Sequence, residues 1–289
     1  LDGEDGYSKE PTIVFRKYII EQFTFEEQAK HGTIPADFIE GLKAMATVGF
    51  NVGFIGPVRS GKTTFLQTWQ SYEDPSLEGI LVETDPEIAL HLLMPKAPIM
   101  QIVADGNKLK GVIKKLLRAD GDYMIMAEAR DGVAMRMVVE ATSRGTRRVK
   151  FTYHTSDAVD FCYDAANSIV GVFGGDIWAN TIKIAKNVHY LFEFVQLKDK
   201  SKKRLKGIYE IRYDPRSLRI TVHQICKYDF QRDSWTFRYD IGPDKEAVAE
   251  MEDYEAFTVF RRELQRMAER YPMQQEDHIT ELPYFKLLR

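Results

Sequence analysis

The chain has 289 residues, 44% of them hydrophobic and 29% charged, the composition of a soluble globular protein able to bury a sizeable core in one or two domains. Its 40 Lys and Arg are offset by 43 Asp and Glu, a net charge of −3, so no overall basic field points to direct nucleic-acid binding. No apolar run approaches the roughly twenty residues that span a bilayer, no secretory signal opens the chain, and Cys162 and Cys226 lack any metal-ligand spacing. Two free thiols suit a reducing, cytoplasmic compartment. Because it begins at Leu1 and not at methionine, the sequence reads as a fragment.

Taken in order, Leu1 to Glu10 is polar and acidic, and Pro11 to Ile20 reads as a strand. Thr24 is placed to cap a short helix from Phe25, and Ala36 to Thr47 predicts a second. Residues 1–40 are too few to form a core alone and look like the end of a preceding domain with its linker. From residue 41 to about 200, strands alternate with helices. The apolar runs Val48 to Ile55, Gly79 to Glu83, Ala97 to Val103, Tyr123 to Ala127 and Val149 to Tyr153 predict buried strands. Between them, Asn107 to Arg118, a helix capped by Asp131, Asp157 to Phe173 and Asp176 to Asn187 predict helices. This order implies an α/β fold with a mainly parallel, doubly wound sheet and a site at the strands' carboxyl ends.

Past Val188 the pattern becomes that of an antiparallel meander. Val188 to Leu197 and Gly207 to Tyr213 predict strands around a basic turn, Lys198 to Lys206. Leu218, Ile220 and Val222, then Trp235, Phe237 and Tyr239, alternate with polar residues. Lys245 to Arg270 predicts one long amphipathic helix, so residues 201–289 read as an antiparallel extension with a C-terminal helix.

The stretch Gly56, Pro57, Val58, Arg59, Ser60, Gly61, Lys62, Thr63, Thr64 matches the phosphate-binding loop pattern G-x-x-x-x-G-K-[ST], between a strand and a helix as that chemistry requires. Loop amides and the helix N-terminus hold phosphates, Lys62 reaches the outer ones, and the Thr63 hydroxyl binds Mg²⁺. Glu83, Glu128 with Arg130, and His154 fall at the ends of strands on the same predicted edge. Cleaving a phosphoanhydride needs a carboxylate to hold water, a metal ligand and cations for the phosphoryl charge. Glu83 or Glu128 can serve the first need, Thr63 and Glu128 the second, and Lys62 and Arg130 the third, while His154 can polarise the terminal phosphate.

In order and spacing these pieces resemble the type II/type IV secretion ATPases, from about Pro11 to Tyr213. GPVRSGKTT resembles the family's phosphate loop, and Val82-Glu83-Thr84-Asp85-Pro86-Glu87 its acidic box. Leu116 through Arg130 resembles its Walker B segment, and Phe151 to Ser156 its histidine box. Ala127 stands where the family has Gly, Asp120-Gly121-Asp122 lacks an arginine often found there, and Thr146 follows Gly145 in place of a histidine. The resemblance implies a RecA-like P-loop ATPase core using ATP and Mg²⁺, preceded by a smaller domain. It also implies a homo-oligomeric, hexameric motor on membrane components of a secretion, conjugation or pilus machine. That motor is cytoplasmic, with room for peripheral association at the inner face of the cell membrane. Arg16 and the Arg144 to Arg148 cluster are its candidates for a cation supplied by a neighbouring subunit.

Other classes fit less well. A regulatory GTPase needs Asn-Lys-x-Asp, whereas Asn107-Lys108-Leu109-Lys110 ends in Lys. A small-molecule kinase needs a lid, for which an antiparallel extension is poorly suited. A P-loop module that binds nucleotide without hydrolysing it is the alternative from a different class.

Overall fold

The computed structural model describes residues 23–104, 106–116, 118–119, 121–155, 157–274 and 279–281. The strand expected over Pro11 to Ile20, with Arg16, and Asp120 lie outside them. The helix α1 (Phe25–Lys30) starts at a reciprocal cap, the Glu27 amide donating to Thr24 Oγ1 and the Thr24 amide to the Glu27 carboxylate. After Pro35 a 3₁₀ turn, Ala36–Phe38, leads into α2 (Ile39–Thr47). Then β1 (Val52–Ile55), α3 (Lys62–Gln70), β2 (Gly79–Glu83), α4 (Leu90–Leu93), β3 (Ile99–Val103) and α5 (Gly106–Leu116) follow. Next come β4 (Tyr123–Met126), α6 (Gly132–Ser143), β5 (Lys150–Tyr153), α7 (Phe161–Phe173), α8 (Ile177–Asn187) and β6 (Tyr190–Gln196). The chain closes with β7 (Lys203–Asp214), β8 (Arg219–Asp229), β9 (Ser234–Phe237), α9 (Pro243–Met251), α10 (Tyr254–Arg270) and β10 (Ile279–Glu281).

One continuous sheet runs through the described residues in the order β10-β8-β7-β6-β1-β5-β4-β2-β3, with β9 also paired to β8. From β3 to β6 every pairing is parallel, and from β6 through β10 every pairing is antiparallel. The antiparallel strands therefore extend the parallel sheet directly, β7 pairing with β6 from Lys203 to Glu210. β1, β2, β4 and β5 are buried along their whole length, which is why they read as apolar runs without alternation. One face packs Phe54, Phe192 and Trp69 with Phe25, Leu42 and Phe260 from α1, α2 and α10. The other packs Ile55, Phe151 and Met126 against Leu109, Val138, Phe161 and Ile184 from α5 to α8.

Two boundaries differ from expectation. The long C-terminal helix is broken between α9 and α10, where Asp253 restarts the helix by accepting from the Ala256 amide at 2.8 Å. Glu252, at the break, turns instead toward Arg147 and Arg148. The basic turn is also shorter than its charge suggests, because Lys203 and Lys206 already belong to β7. Because β1, β2, β4 and β5 run parallel, the segments that follow them all emerge on one edge of the sheet, and that edge carries the site.

Candidate functional site

The loop between β1 and α3 is built on backbone that other sequences would not adopt. Gly56 sits at φ +136°, and a Cβ there would lie 2.2 Å from the carbonyl oxygen of Phe194 in β6. Gly61 caps α3 at φ +95°, and Arg59 between them is also left-handed at φ +64°. The first-turn amides of α3 have no acceptor within their own helix, the ladder beginning where Phe65 N donates to Gly61 O at 3.0 Å. Ser60 is fully buried, and its hydroxyl has no partner among the described residues. Amides facing outward, a helix N-terminus and no side chain in the way form a cradle for anionic oxygens.

Lys62 is buried and donates to the carbonyls of Gly56 at 2.9 Å and Pro57 at 2.7 Å. Burial pulls its ammonium down to about 8, against the opposing attraction of Glu128. Its Nζ also stands 3.3 Å from Nδ1 of His154, at the end of β5. His154 Nε2 in turn is 2.7 Å from Glu128 Oε1, and the other carboxylate oxygen takes Arg130 Nε at 2.7 Å. Lys62, His154, Glu128 and Arg130 thus form one string across the ends of β1, β5 and β4. Burial alone would raise the Glu128 carboxyl, but the bonds from Arg130 and His154 outweigh it and hold the group below the usual glutamate value. Glu128 is fixed from its backbone as well. Thr152 Oγ1 donates to Ala127 O at 2.6 Å, and Ala129 N donates to Thr152 O at 2.8 Å, so both neighbours of Glu128 are clamped to β5.

Glu83, at the end of β2, has a different environment. It is fully buried, with Oε1 accepting the Glu87 and Ile88 amides, each at 2.9 Å, and Oε2 accepting Gln101 Nε2 at 2.6 Å. These bonds hold the turn from Thr84 to Glu87 against the sheet. That turn forms one wall of a narrow cleft in which Thr63 faces Glu128, with Asp85 and Ala127 alongside. The cleft adjoins a cavity of about 230 Å³ between α5 and α6, lined by Asp85, Leu109, Glu128, Arg130, Asp131 and Ala134. Asp131 itself accepts the amides of Val133 and Ala134 and caps α6.

Of the residues expected at the site, the nine of the loop, Glu128, Arg130 and His154 are brought together, and Glu83 stands behind the cleft wall. Arg144, Arg147 and Arg148 are not part of the group. They lie after α6 and before β5, at the amino ends of the parallel strands, on the opposite edge. Arg148 and the fully buried Lys150 share the carboxylate of Glu73, the latter at 2.5 Å, while Arg144 pairs with Glu140. Sequence reasoning missed Gln101, whose role depends on the pairing of β3 with β2 and which no local pattern marks. It also took Lys203 for part of a solvated turn. Its Cδ lies 3.1 Å from where a Cβ on Gly61 would be.

A family model described as "Type II/IV secretion system protein" matches residues 7–166. The structure is similar to the VirB11 ATPase from the Brucella suis type IV secretion system, solved in complex with sulphate. Identity is 15%, the match covers 68% of this chain and 65% of that one, and the TM-score is 0.54. It is also similar to the ATPase DotB of Yersinia pseudotuberculosis, at 14% identity over 84% of this chain and 55% of that one, with a TM-score of 0.50. The chain therefore spans less than two thirds of either solved chain. At these identities the likeness is one of fold, an α/β fold with a mostly parallel sheet continued by antiparallel strands. No curated protein matches the sequence. No helix among the described residues is long and apolar enough to cross a membrane.

Proposed function

The chain belongs to the type II/IV secretion system protein family, a family of ATPases, and from that premise we propose that it is an ATP-hydrolysing motor subunit. It would drive a secretion, conjugation or pilus-assembly machine, working as a homo-oligomer, a hexamer, on cytoplasmic faces of membrane components. The observation that carries this proposal is the string from Lys62 through His154 and Glu128 to Arg130, set beside a loop whose amides face outward.

The residues fit a nucleotide and a magnesium ion. The cradle at Gly56 to Thr64 takes phosphates, and Lys62 exchanges its two loop carbonyls for phosphate oxygens. Thr63 and Glu128, facing each other across the cleft, are the side chains that would hold Mg²⁺. No group of three or more acidic, His or Cys ligands is found among the described residues. That suits Mg²⁺, which takes one or two protein ligands and completes its shell with phosphates and water. When bound, the ion offsets charge on the phosphate oxygens.

Glu128 is held anionic by Arg130 and His154, so it is a weak base. Its part is to orient water and accept a proton late, as bond breaking generates the stronger acid. His154, placed between Lys62 and Glu128, transmits the protonation of one to the other and presents its ring toward the terminal phosphate. Arg130 keeps Glu128 in place and adds positive charge near the developing metaphosphate. Between the two carboxylates, the geometry favours Glu128 for the water and Glu83 for holding the cleft wall.

The test is ATP turnover and ATP binding of the parent protein beside Glu128→Gln. Binding retained with turnover lost supports the motor. Binding without turnover in the parent leaves the non-hydrolysing nucleotide-binding module, and no binding in the parent overturns the assignment.

A further inference from the structure

We propose that Lys203, at the start of β7, is a second phosphate-binding cation of the loop and contacts the inner phosphates that ADP and ATP share. This rests on the nucleotide-binding role given to the loop above. Three observations carry it. The Lys203 side chain lies against the loop at its junction with α3, its Cδ 3.1 Å from the Cβ position of Gly61, with the ammonium two bonds further on. Gly61 leaves that space open, since it has no side chain and sits at φ +95°. The ammonium of Lys203 has no hydrogen bond or ion pair among the described residues, whereas the cations around it are engaged. Lys202 pairs with Asp199, Arg204 with Asp233 at 2.9 Å, and Lys206 with Glu193 at 2.7 Å.

Its flank says which phosphates it meets. β1 has β5 on one side and β6 on the other, so the loop after β1 is bordered by His154 and Glu128 on one flank and by the β6–β7 hairpin on the other. The terminal phosphate faces the carboxylate that orients water. The inner phosphates then fall toward the hairpin, whose β6 already touches the loop where Phe194 O closes on Gly56. Gln196 and Lys203 are paired across the hairpin, which fixes the lysine on β-sheet backbone and not on a mobile tip. A cation there strengthens binding of any nucleotide carrying an inner diphosphate, with no preference for the terminal group.

The experiment is titration of fluorescently labelled ADP and of a slowly hydrolysed ATP analogue into the parent, Lys203→Gln, Lys203→Arg and, as a charge control, Lys200→Gln. Thermal unfolding of each variant checks that it is folded. A charge-assisted hydrogen bond to phosphate corresponds to roughly tenfold or more in affinity. Lys203→Gln should weaken ADP and the ATP analogue by the same factor of about that size. Lys203→Arg should recover most of the loss, and Lys200→Gln should match the parent. Unchanged ADP affinity in folded Lys203→Gln, or a loss confined to the ATP analogue, overturns the proposal while leaving the loop's role intact. A parent that binds neither nucleotide removes both.

Discussion

Nε2 of His154 lies 2.7 Å from Oε1 of Glu128, and this contact fixes the protonation of the whole string. Lys62 approaches the other ring nitrogen, Nδ1, as a donor, so a neutral His154 carries its proton on Nε2 and gives it to the carboxylate. A change of charge at Lys62 is therefore felt at Glu128 through one ring.

That coupling makes the pH dependence of nucleotide binding the first prediction. Burial holds the Lys62 ammonium near 8 in the free protein. Phosphate favours the charged form, so binding raises that value and takes up protons. Affinity should be steady below about pH 7 and fall as pH rises through about 8. Calorimetry at pH 8 in buffers of different ionisation enthalpy should show net proton uptake, near zero at pH 6. Lys62→Arg, which stays charged, should bind with little pH dependence between 7 and 9. Proton uptake that is the same at pH 6 and pH 8 would rule out Lys62 as the titrating group.

The second prediction separates the two strand-end carboxylates. Glu128→Gln keeps its shape beside Arg130 and His154 and should retain ATP binding while losing about 10²–10³ in turnover. Glu83→Ala strips acceptors from the buried amides of Glu87 and Ile88 and from Gln101, and should cost roughly 2–4 kcal/mol of stability in urea unfolding. Glu83→Gln can keep the two amide bonds through its remaining oxygen if Gln101 reverses its amide, and should recover most of that loss. If Glu83→Gln is as stable as the parent yet as inactive as Glu128→Gln, Glu83 acts in the chemistry and the division drawn here is wrong.

What the sequence disclosed follows from how local each feature is. The strand Gly79–Glu83, the caps at Thr24, Asp131 and Asp176, and the loop from Gly56 to Thr64 depend on residues a few positions apart, and each was legible. The break at Glu252 and Asp253 was not, because the apolar stripe continues in phase across it while the ion pairs that turn Glu252 aside come from residues a hundred positions earlier. Lys203 looked like turn because a lysine-rich run has no strand signature; its place in β7 comes from pairing with β6. Lys150 is a charged residue inside an otherwise apolar strand, and only its partner Glu73 makes that tolerable.

That buried pair supports a third prediction. Lys150 and Glu73 are both shielded from solvent, and Lys150 also lies over the Tyr123 ring at 4.8 Å. Burial lowers the Lys150 pKa, and Glu73 opposes that fall. Glu73→Ala leaves the lysine uncompensated and should cost about 3–5 kcal/mol near neutral pH. Without Glu73 the folded state sheds the Lys150 proton while the unfolded state keeps it. Stability then rises with pH over that window, and the deficit should be smaller at pH 9 than at pH 6. Urea unfolding at the two values checks this. An equal deficit at both would place the loss in packing and not in the lysine's charge.

The last prediction concerns assembly. Within the chain, Arg130 is committed to Glu128, and Arg144, Arg147 and Arg148 lie on the far edge in ion pairs of their own. None of those three can reach the terminal phosphate on the same chain's loop, and their pairs with Glu140, Glu252 and Glu73 argue against their reaching a neighbour's. If a ring forms, a further cation for the transferred phosphoryl group has to come from elsewhere on the adjacent subunit, and Arg16, which precedes the described residues, is the candidate. A cation in that role contributes about 10³–10⁵ in rate. Turnover per subunit should therefore climb with protein concentration, across the range in which light scattering shows monomer giving way to ring. Arg16→Ala should flatten the climb without weakening ATP binding, whereas Arg147→Ala should leave it in place. Turnover per subunit that stays constant from monomer to ring would mean that Lys62, Arg130 and Lys203 suffice, and that the site is complete within one chain.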